Sequence, residues 1–272
     1  MTKQIDGPLY LVGAGKMGSA LLSGWLAEGL DPEKVIVQDP SPPADAKSLF
    51  EQHNISCGKS PELAGAAKII VLATKPQIFD NVLPGLVKKL DDRTLILSIA
   101  AGKTIADIQS ILGPRPIVRA MPNTPAAVNA GITVAVANDR VSDDQVQQAQ
   151  SLLGTVGEVA WIDEESLMDA VTAVSGSGPA YVFLLAECLS RAAEKAGLSP
   201  ELAQLLARKT IWGSGVLLDR SPETASTLRS NVTSPGGTTE AALKVLMSES
   251  GLAELLEEAV NAAKKRSREL SS

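Results

Sequence analysis

Apolar residues follow two rhythms along this chain, and the change of rhythm divides it. In residues 1–163, short, mostly apolar runs alternate with longer mixed stretches. The runs are Leu9–Val12, Val35–Val37, Ile69–Ala73, Leu95–Ile99, Ile117–Arg119 and Ile132–Ala135. Each has strand length and lacks the polar alternation of a half-solvated strand, so each predicts a strand buried on both faces. Met17–Glu28 and Ala44–His53 read as helices between the first of them. Such strands separated by helices predict a mainly parallel sheet with helices on both sides, joined by right-handed crossovers. That is a doubly wound α/β domain.

From Glu164 to Ser272 the strand-like runs stop and Ala, Leu, Glu and Lys dominate. Helices are expected at 165–172, 179–196, 200–218, 222–231, 239–248 and 252–270. Pro179, Pro200 and Pro222 suit first-turn positions, where a missing N–H costs nothing, and Gly197 suits a helix end. The expected division is an α/β domain over 1–163 and an all-α domain over 164–272. The helices at 179–196 and 200–218 are apolar on more than one face, and such helices need a cover. A second copy of the chain provides one, which predicts a homodimer through the helical domain; an ordinary monomeric bundle is the alternative.

Composition narrows the function classes. The chain has 272 residues, long for one core, which agrees with two domains. Its net charge is −6, which disfavours nucleic acid and anionic membrane as partners, because phosphate binding leans on clustered Lys and Arg. Lys264, Lys265, Arg266 and Arg268 do cluster, but Glu254, Glu257 and Glu258 precede them on the same helix. That order complements a helix dipole. Cys57 and Cys188 are the two cysteines and His53 the one histidine, so neither a disulfide framework nor a Cys/His metal site is expected. No signal peptide or spanning segment is visible, and the expected compartment is the cytoplasm.

Directly after the first strand stands Gly13-Ala14-Gly15-Lys16-Met17-Gly18. Between a strand and a helix, this spacing is the Rossmann dinucleotide fingerprint. Its glycines permit a tight turn and close approach of a pyrophosphate to the free N–H groups of a helix start. Gln38 and Asp39 end the second strand, Asp39 lying 21 residues beyond Gly18. An acidic residue there accepts hydrogen bonds from the adenosine ribose, which favours NADH; Asp39 equally suits the start of the Pro40–Pro43 turn, so NADPH or NADH stays open. Ala73-Thr74-Lys75-Pro76 and Ala100-Ala101-Gly102 follow two further strands, where such sheets bind ligands, although Lys75 also reads as a surface cation. Asn123 and Thr124 suit a ligand contact or a turn cap. Two loops, Ser175–Tyr181 and Asn231–Glu240, set glycines and hydroxyls before a helix, which suits a carboxylate or a plain cap.

Taken in order, GAGKMG, ATKPQ, SIAAG, RAMPNTPA, DAVTAVSGSGPAY and NVTSPGGTTEAAL make the chain resemble pyrroline-5-carboxylate reductase over essentially its whole length. The last two motifs are the specific ones. The resemblance implies a Rossmann domain and a helical domain that interlocks with its partner in a homodimer, with further assembly into a ring of dimers. It implies 1-pyrroline-5-carboxylate as substrate and L-proline as product, bound where the SPGGTT loop faces the nicotinamide across the dimer. Substrate contacts then fall on Glu165, Asn231, Ser234, Gly236, Gly237 and Thr238. Backbone of Gly236–Thr239 holds the carboxylate, and the hydroxyl of Thr239, the catalytic position, faces the ring nitrogen. Cofactor contacts fall on Gly13, Ala14, Gly15, Lys16, Met17, Gly18, Gln38, Asp39, Ser60, Ala73, Thr74, Lys75, Pro76, Ala100, Ala101 and Gly102. Ser60 departs from the Asn many relatives carry, and Thr238-Thr239 from a small residue followed by Thr.

Hydride addition to an already protonated imine needs placement more than a strong acid, so Thr239 is expected to orient the nitrogen and Glu165 to act by position. His53, in a polar stretch, is expected at the surface. A related two-domain 3-hydroxy-acid dehydrogenase would carry a catalytic lysine early in its helical domain, and Glu165–Thr172 contains none. A dinucleotide-binding regulatory protein without turnover is the rival from another class.

Overall fold

The computed structural model of the chain describes residues 7–63 and 65–271, so the first residues of the stretch read for a signal peptide lie outside it. The elements run β1 (Leu9–Val12), α1 (Lys16–Ala27), β2 (Val35–Gln38), α2 (Ala44–His53), β3 (Ser56–Gly58), β4 (Ile69–Leu72), α3 (Phe79–Val82), β5 (Leu95–Ser98), α4 (Ile105–Leu112) and β6 (Ile117–Met121). They continue β7 (Gly131–Ala137), α5 (Asp143–Leu153), β8 (Gly157–Trp161), α6 (Met168–Val171), α7 (Gly178–Lys195), α8 (Pro200–Arg220), α9 (Ala225–Asn231), α10 (Thr238–Leu246) and α11 (Leu252–Ser271). One sheet takes all the strands in the order β3-β2-β1-β4-β5-β6-β7-β8.

The side-chain alternation of a strand builds two cores from this sheet. Leu9 and Leu11 of β1 join Leu21, Leu22 and Trp25 of α1 and Phe50 of α2 on one face. Tyr10 and Val12 join Phe79, Leu83 and Leu86 on the other. The Trp25 indole also donates to the Leu152 carbonyl at 2.9 Å, tying α1 to α5. Order reverses beside β1: the chain builds outward through β2 and β3, then returns to β4. In open α/β sheets, ligands bind beside such a switch point, here at the carboxyl ends of β1 and β4.

Every pairing is parallel except β6 with β7. The uniform crossovers expected from the strand pattern fail there for a simple reason. Residues 122–130 are too few for a parallel return, which needs about a dozen residues, so the chain turns back antiparallel. The sheet is also wider than expected by β3 and β8. Beyond Glu164, the helix expected over 165–172 is a tight turn, the four-residue α6 and a π-helical turn at Thr172–Gly176. Pro222 does not start a helix: Thr224 caps α9, its hydroxyl accepting the Thr227 N–H.

Two compact units result, residues 1–176 with 264–272, and residues 177–263. The division falls later than the 163/164 boundary expected, and the chain's last residues belong with the first unit. There Asp169 of α6 accepts the Ser267 hydroxyl at 2.7 Å and lies 3.5 Å from the Arg268 Nε. In the second unit, α7 buries no residue and α8 buries only Ala203 and Ala207. Phe183 stays 66% exposed and Trp212 64%, with Val182, Leu184, Leu185, Leu202, Leu205 and Leu206 also exposed. Among the described residues no helix is long and apolar enough to cross a membrane.

Candidate active site

The site in the first unit grows from a close backbone approach. Gly13 has φ +94°, and a Cβ there would stand 2.8 Å from the Ala73 carbonyl oxygen. A Cβ on Gly18 would stand 2.3 Å from the Gly13 oxygen and 3.3 Å from the Ala73 Cβ. These two positions press α1 against the ends of β1 and β4. Gly15 differs: nothing lies within 4 Å of where its Cβ would be. It is the N-cap of α1, no side chain caps that helix, and no acidic residue occupies its first turn. The free N–H groups and positive dipole end are thus left for an anion, with Lys16 exposed beside them.

The rim is fixed by Tyr10, Gln38 and Asp39. The Tyr10 hydroxyl donates to Gln38 Oε1 at 2.9 Å and lies 3.3 Å from the Pro61 carbonyl, which also accepts from the Lys89 ammonium at 2.8 Å. Burial pushes the Tyr10 hydroxyl up to about 12. Asp39 accepts the Ala14 N–H with Oδ2 and the Ser41 N–H with Oδ1, both at 2.8 Å. It therefore starts the proline turn and braces the glycine loop at once. Nearby, burial raises the Cys57 thiol above its ordinary range; its Sγ lies 3.7 Å from the Asp39 carbonyl.

Ala73-Thr74-Lys75-Pro76 and Ala100-Ala101-Gly102 stand at the ends of β4 and β5, the strands next to β1 on that side. The Thr74 hydroxyl is buried without a hydrogen-bond partner, and Lys75 is exposed. Gly102 takes φ +72° in its turn, and Ser98 steadies that turn by accepting the Ala100 N–H at 3.4 Å. Ser60 is exposed just beyond β3, at the far end of the same edge. Asn123 proves structural: its Oδ1 accepts the Ile132 N–H at 3.0 Å. His53 is half-buried in the last turn of α2.

Glu165 belongs to the first unit, and the other residues expected at the substrate belong to the second. Its Oε1 accepts from Arg119 Nη1 at 2.7 Å and from the Ile105 N–H at 2.9 Å. It thus fastens β6 to the first turn of α4. Arg119 is the missed partner, and its signal was present: a cation inside the apolar run Ile117-Val118-Arg119-Ala120 demands a buried anion.

The second unit carries the other half of the expected site. Ser234-Pro235-Gly236-Gly237 forms a turn closed by the Gly237 N–H to the Ser234 carbonyl at 3.0 Å, with Gly236 at φ +70°. Proline second and glycine at positive φ third make a type II turn. Gly237 then caps α10 with no side-chain oxygen, so the first N–H groups of Thr238 and Thr239 face outward for an acceptor. Glu240, also missed in the sequence, accepts the Gly236 N–H at 2.7 Å. Asn231 donates to Glu223 at 3.0 Å, and Thr239 is half-buried. Among the described residues, no group of three or more His, Cys, Asp or Glu is placed to hold a metal ion.

Comparison with known proteins agrees with this arrangement. Residues 165–270 match a family model described as pyrroline-5-carboxylate reductase dimerisation. Residues 9–102 match one described as NADP oxidoreductase, coenzyme F420-dependent. The chain is 42% identical to a pyrroline-5-carboxylate reductase of Pseudomonas aeruginosa, covering 97% of this chain and 96% of that one. It is 41% identical to another from Synechocystis, covering 96% and 97%. Among solved structures, a pyrroline-5-carboxylate reductase of Coxiella burnetii superposes with TM-score 0.90 at 38% identity, covering 98% and 99%. A Plasmodium falciparum pyrroline carboxylate reductase with NADP bound superposes at 0.82 with 30% identity, covering 99% and 100%.

Two outcomes are expected from the contacts themselves. Arg119→Met strips Glu165 of its guanidinium; because Glu165 is partly solvated, the loss falls below that of a fully buried pair, about 2 kcal/mol by urea unfolding. Glu165→Gln keeps an acceptor for the Ile105 N–H but leaves the more buried Arg119 without its counter-charge, so it should lose at least as much. For Tyr10, the folded chain holds the phenolic proton more tightly than the unfolded one. Stability should therefore be intact below about pH 10 and fall between about pH 10 and 12. Tyr10→Phe should remove that component of the alkaline decline in a pH series of melting curves.

Proposed function

The chain belongs to the pyrroline-5-carboxylate reductase family, and from that membership we propose how it reduces the carbon–nitrogen double bond of 1-pyrroline-5-carboxylate to give L-proline. It is an NAD(P)H-dependent oxidoreductase of proline biosynthesis. The observation that carries the reading is a full-length relationship in which one chain keeps both an open glycine loop at α1 and an uncapped turn at α10.

The first unit suits a dinucleotide. Gly15 leaves room where a pyrophosphate would approach, Gly13 and Gly18 admit no side chain, and the buried Thr74 hydroxyl has no partner within the protein. Gly13–Gly18 would hold the pyrophosphate, Gln38, Asp39 and Ser60 the adenosine side, and Ala73–Pro76 with Ala100–Gly102 the nicotinamide side. When bound, the dinucleotide supplies the hydride. The protein's contribution is placement. Backbone N–H groups around Gly236–Thr239 take the substrate carboxylate, with Ser234 and Asn231 shaping the loop. The Thr239 hydroxyl orients the ring nitrogen by a hydrogen bond and is not an acid of suitable strength. Glu165, already bonded to Arg119 and Ile105, acts by holding β6 and α4 in register.

Homodimerisation through the helical unit is supported by its match to a dimerisation model and by the uncovered apolar side chains of α7 and α8. Assembly of dimers into a ring, and a cytoplasmic location, form the finer part of this proposal; the free thiols Cys57 and Cys188 support the latter.

The purified protein, given 1-pyrroline-5-carboxylate and reduced nicotinamide cofactor, should consume cofactor absorbance and form proline in equal amounts. Cofactor binding without turnover would instead favour a regulatory protein. Thr239→Ala should lower kcat roughly tenfold, the rate equivalent of one hydrogen bond; an unchanged kcat removes Thr239 from the scheme. Phe183→Asp should shift sedimentation toward monomer, and a dimer of undiminished affinity would place the interface elsewhere.

A further inference from the structure

We propose that Asp169 is a positioning residue for hydride transfer. By gripping Ser267 near the end of α11, its carboxylate seats the Leu270 backbone against the Ala100–Gly102 turn and so fixes the nicotinamide side of the site. The inference rests on the reductase reading and gives the end of the chain's last helix, which belongs with the first unit, a part in it.

Ala100-Ala101-Gly102 is a turn of small residues with little of its own to hold it in place. Before it, Ser98 Oγ accepts the Ala100 N–H at 3.4 Å, a long bond. After it, the Ile105 N–H donates to Glu165 at 2.9 Å. Between these points the chain reaches Gly102 at φ +72°, where it meets α11. A Cβ on Gly102 would stand 3.3 Å from the Leu270 carbonyl oxygen and 3.7 Å from the Leu270 Cβ. Leu270 is 61% exposed, so its backbone makes the contact while most of its side chain stays in solvent.

What brings Leu270 there is a bond one helical turn earlier. Ser267 and Leu270 are three residues apart and so neighbours along one helix face. Ser267 is buried, and its hydroxyl donates to Asp169 Oδ1 at 2.7 Å. A hydrogen bond to an ionised acceptor is the stronger kind. The Arg268 Nε lies 3.5 Å from Asp169 Oδ2, but its side chain is 63% exposed, and such a pair adds little. Asp169 is itself well seated. Met168 beside it is buried in the same core as Ala100 and Ile105. Glu165 stands four residues before Asp169, so one short stretch holds the turn from two sides: through α4 by Glu165 and through α11 by Asp169.

The test uses Asp169→Ala, Ser267→Ala and a chain ended after Glu269, which removes Leu270 and leaves the Asp169 bond intact. Each is titrated with reduced cofactor to count binding sites, and reduction of 1-pyrroline-5-carboxylate is then measured per site. A dinucleotide still anchored by its pyrophosphate should bind within about threefold of wild type, whereas kcat per site should fall about tenfold. Damage to the fold would instead lower the number of sites and spare the rate of those that remain. Without cofactor, the amides of Ile99 and Ala100, which bond to Leu72 and Ser98, should exchange with deuterium about tenfold faster. Combining Asp169→Ala with Ser267→Ala should cost no more than either alone. Asp169→Asn, which keeps an acceptor for the Ser267 hydroxyl, should recover most of the rate. Unchanged kcat per site and unchanged exchange in the shortened chain overturn the proposal, even where Asp169→Ala fails to fold. Wild type that binds cofactor but reduces no 1-pyrroline-5-carboxylate overturns the reductase reading, and the amide exchange, which needs no turnover, then decides separately whether α11 supports the turn.

Discussion

Contact between the Gly13 carbonyl and the first turns of α1 sets the terms for the rest of the first unit. The backbone there is closer than any side chain allows, since a Cβ on Gly18 would fall 2.3 Å from that oxygen. With α1 seated so near the sheet, its N-terminal N–H groups reach the carboxyl edge where β1 and β4 part. The same closeness brings the Ala14 N–H to the Asp39 carboxylate at the end of β2. Loop, helix start and neighbouring strand thus become one rigid rim. Tyr10 extends it downward, reaching Gln38 and Pro61 from within the opposite core. A substitution that loosened α1 would disturb all of these contacts together.

Helix starts in this chain are closed in different ways, and α2 and α7, after Pro43 and Ser177, also lack a side-chain cap. Thr104, Ser142, Ser199 and Thr224 close the first turns of α4, α5, α8 and α9 with their own oxygens. Helices α1 and α10 have glycine at the same position and no such bond. An unclosed helix start costs stability unless something else accepts its N–H groups, because each capping oxygen is worth about 1 kcal/mol. In one case the acceptor is expected to be a pyrophosphate, in the other a substrate carboxylate. At α10 the Glu240 carboxylate offsets part of the deficit by taking the Gly236 N–H.

Strands buried on both faces were the most legible part of the fold, since β1 and β4 are apolar at every position and β5 at all but Ser98. β3 and β8 were hidden by the same logic. They pair on one side only, and Ser56–Gly58 and Gly157–Trp161 carry the mixed residues an edge permits. Helices α4 and α5 were passed over although Thr104 with Asp107 and Ser142 with Gln145 announce their capping boxes. At the site, the glycine spacing and the Ser234–Gly237 turn could be read because glycine and proline act through local geometry. Bonds between side chains and distant backbone, such as Glu165 to Ile105 across 60 positions, depend on how the sheet folds up and leave no local trace. Asp39 lies between these cases: its type and place were plain, but its grip on Ala14 was not.

Residues 264–271 belong with the first unit, where Ser267 meets Asp169 and the backbone of Leu270 lies against the turn at Gly102. The α/β body is therefore interrupted in the chain, with the whole of the second unit inserted before its final piece. During synthesis the sheet can assemble early, yet its last contacts must wait until the ribosome has released the end of α11. The turn beside the expected nicotinamide pocket is thus among the last parts of the molecule to be supported, so a truncated product would carry a cofactor fold with its innermost edge unfinished.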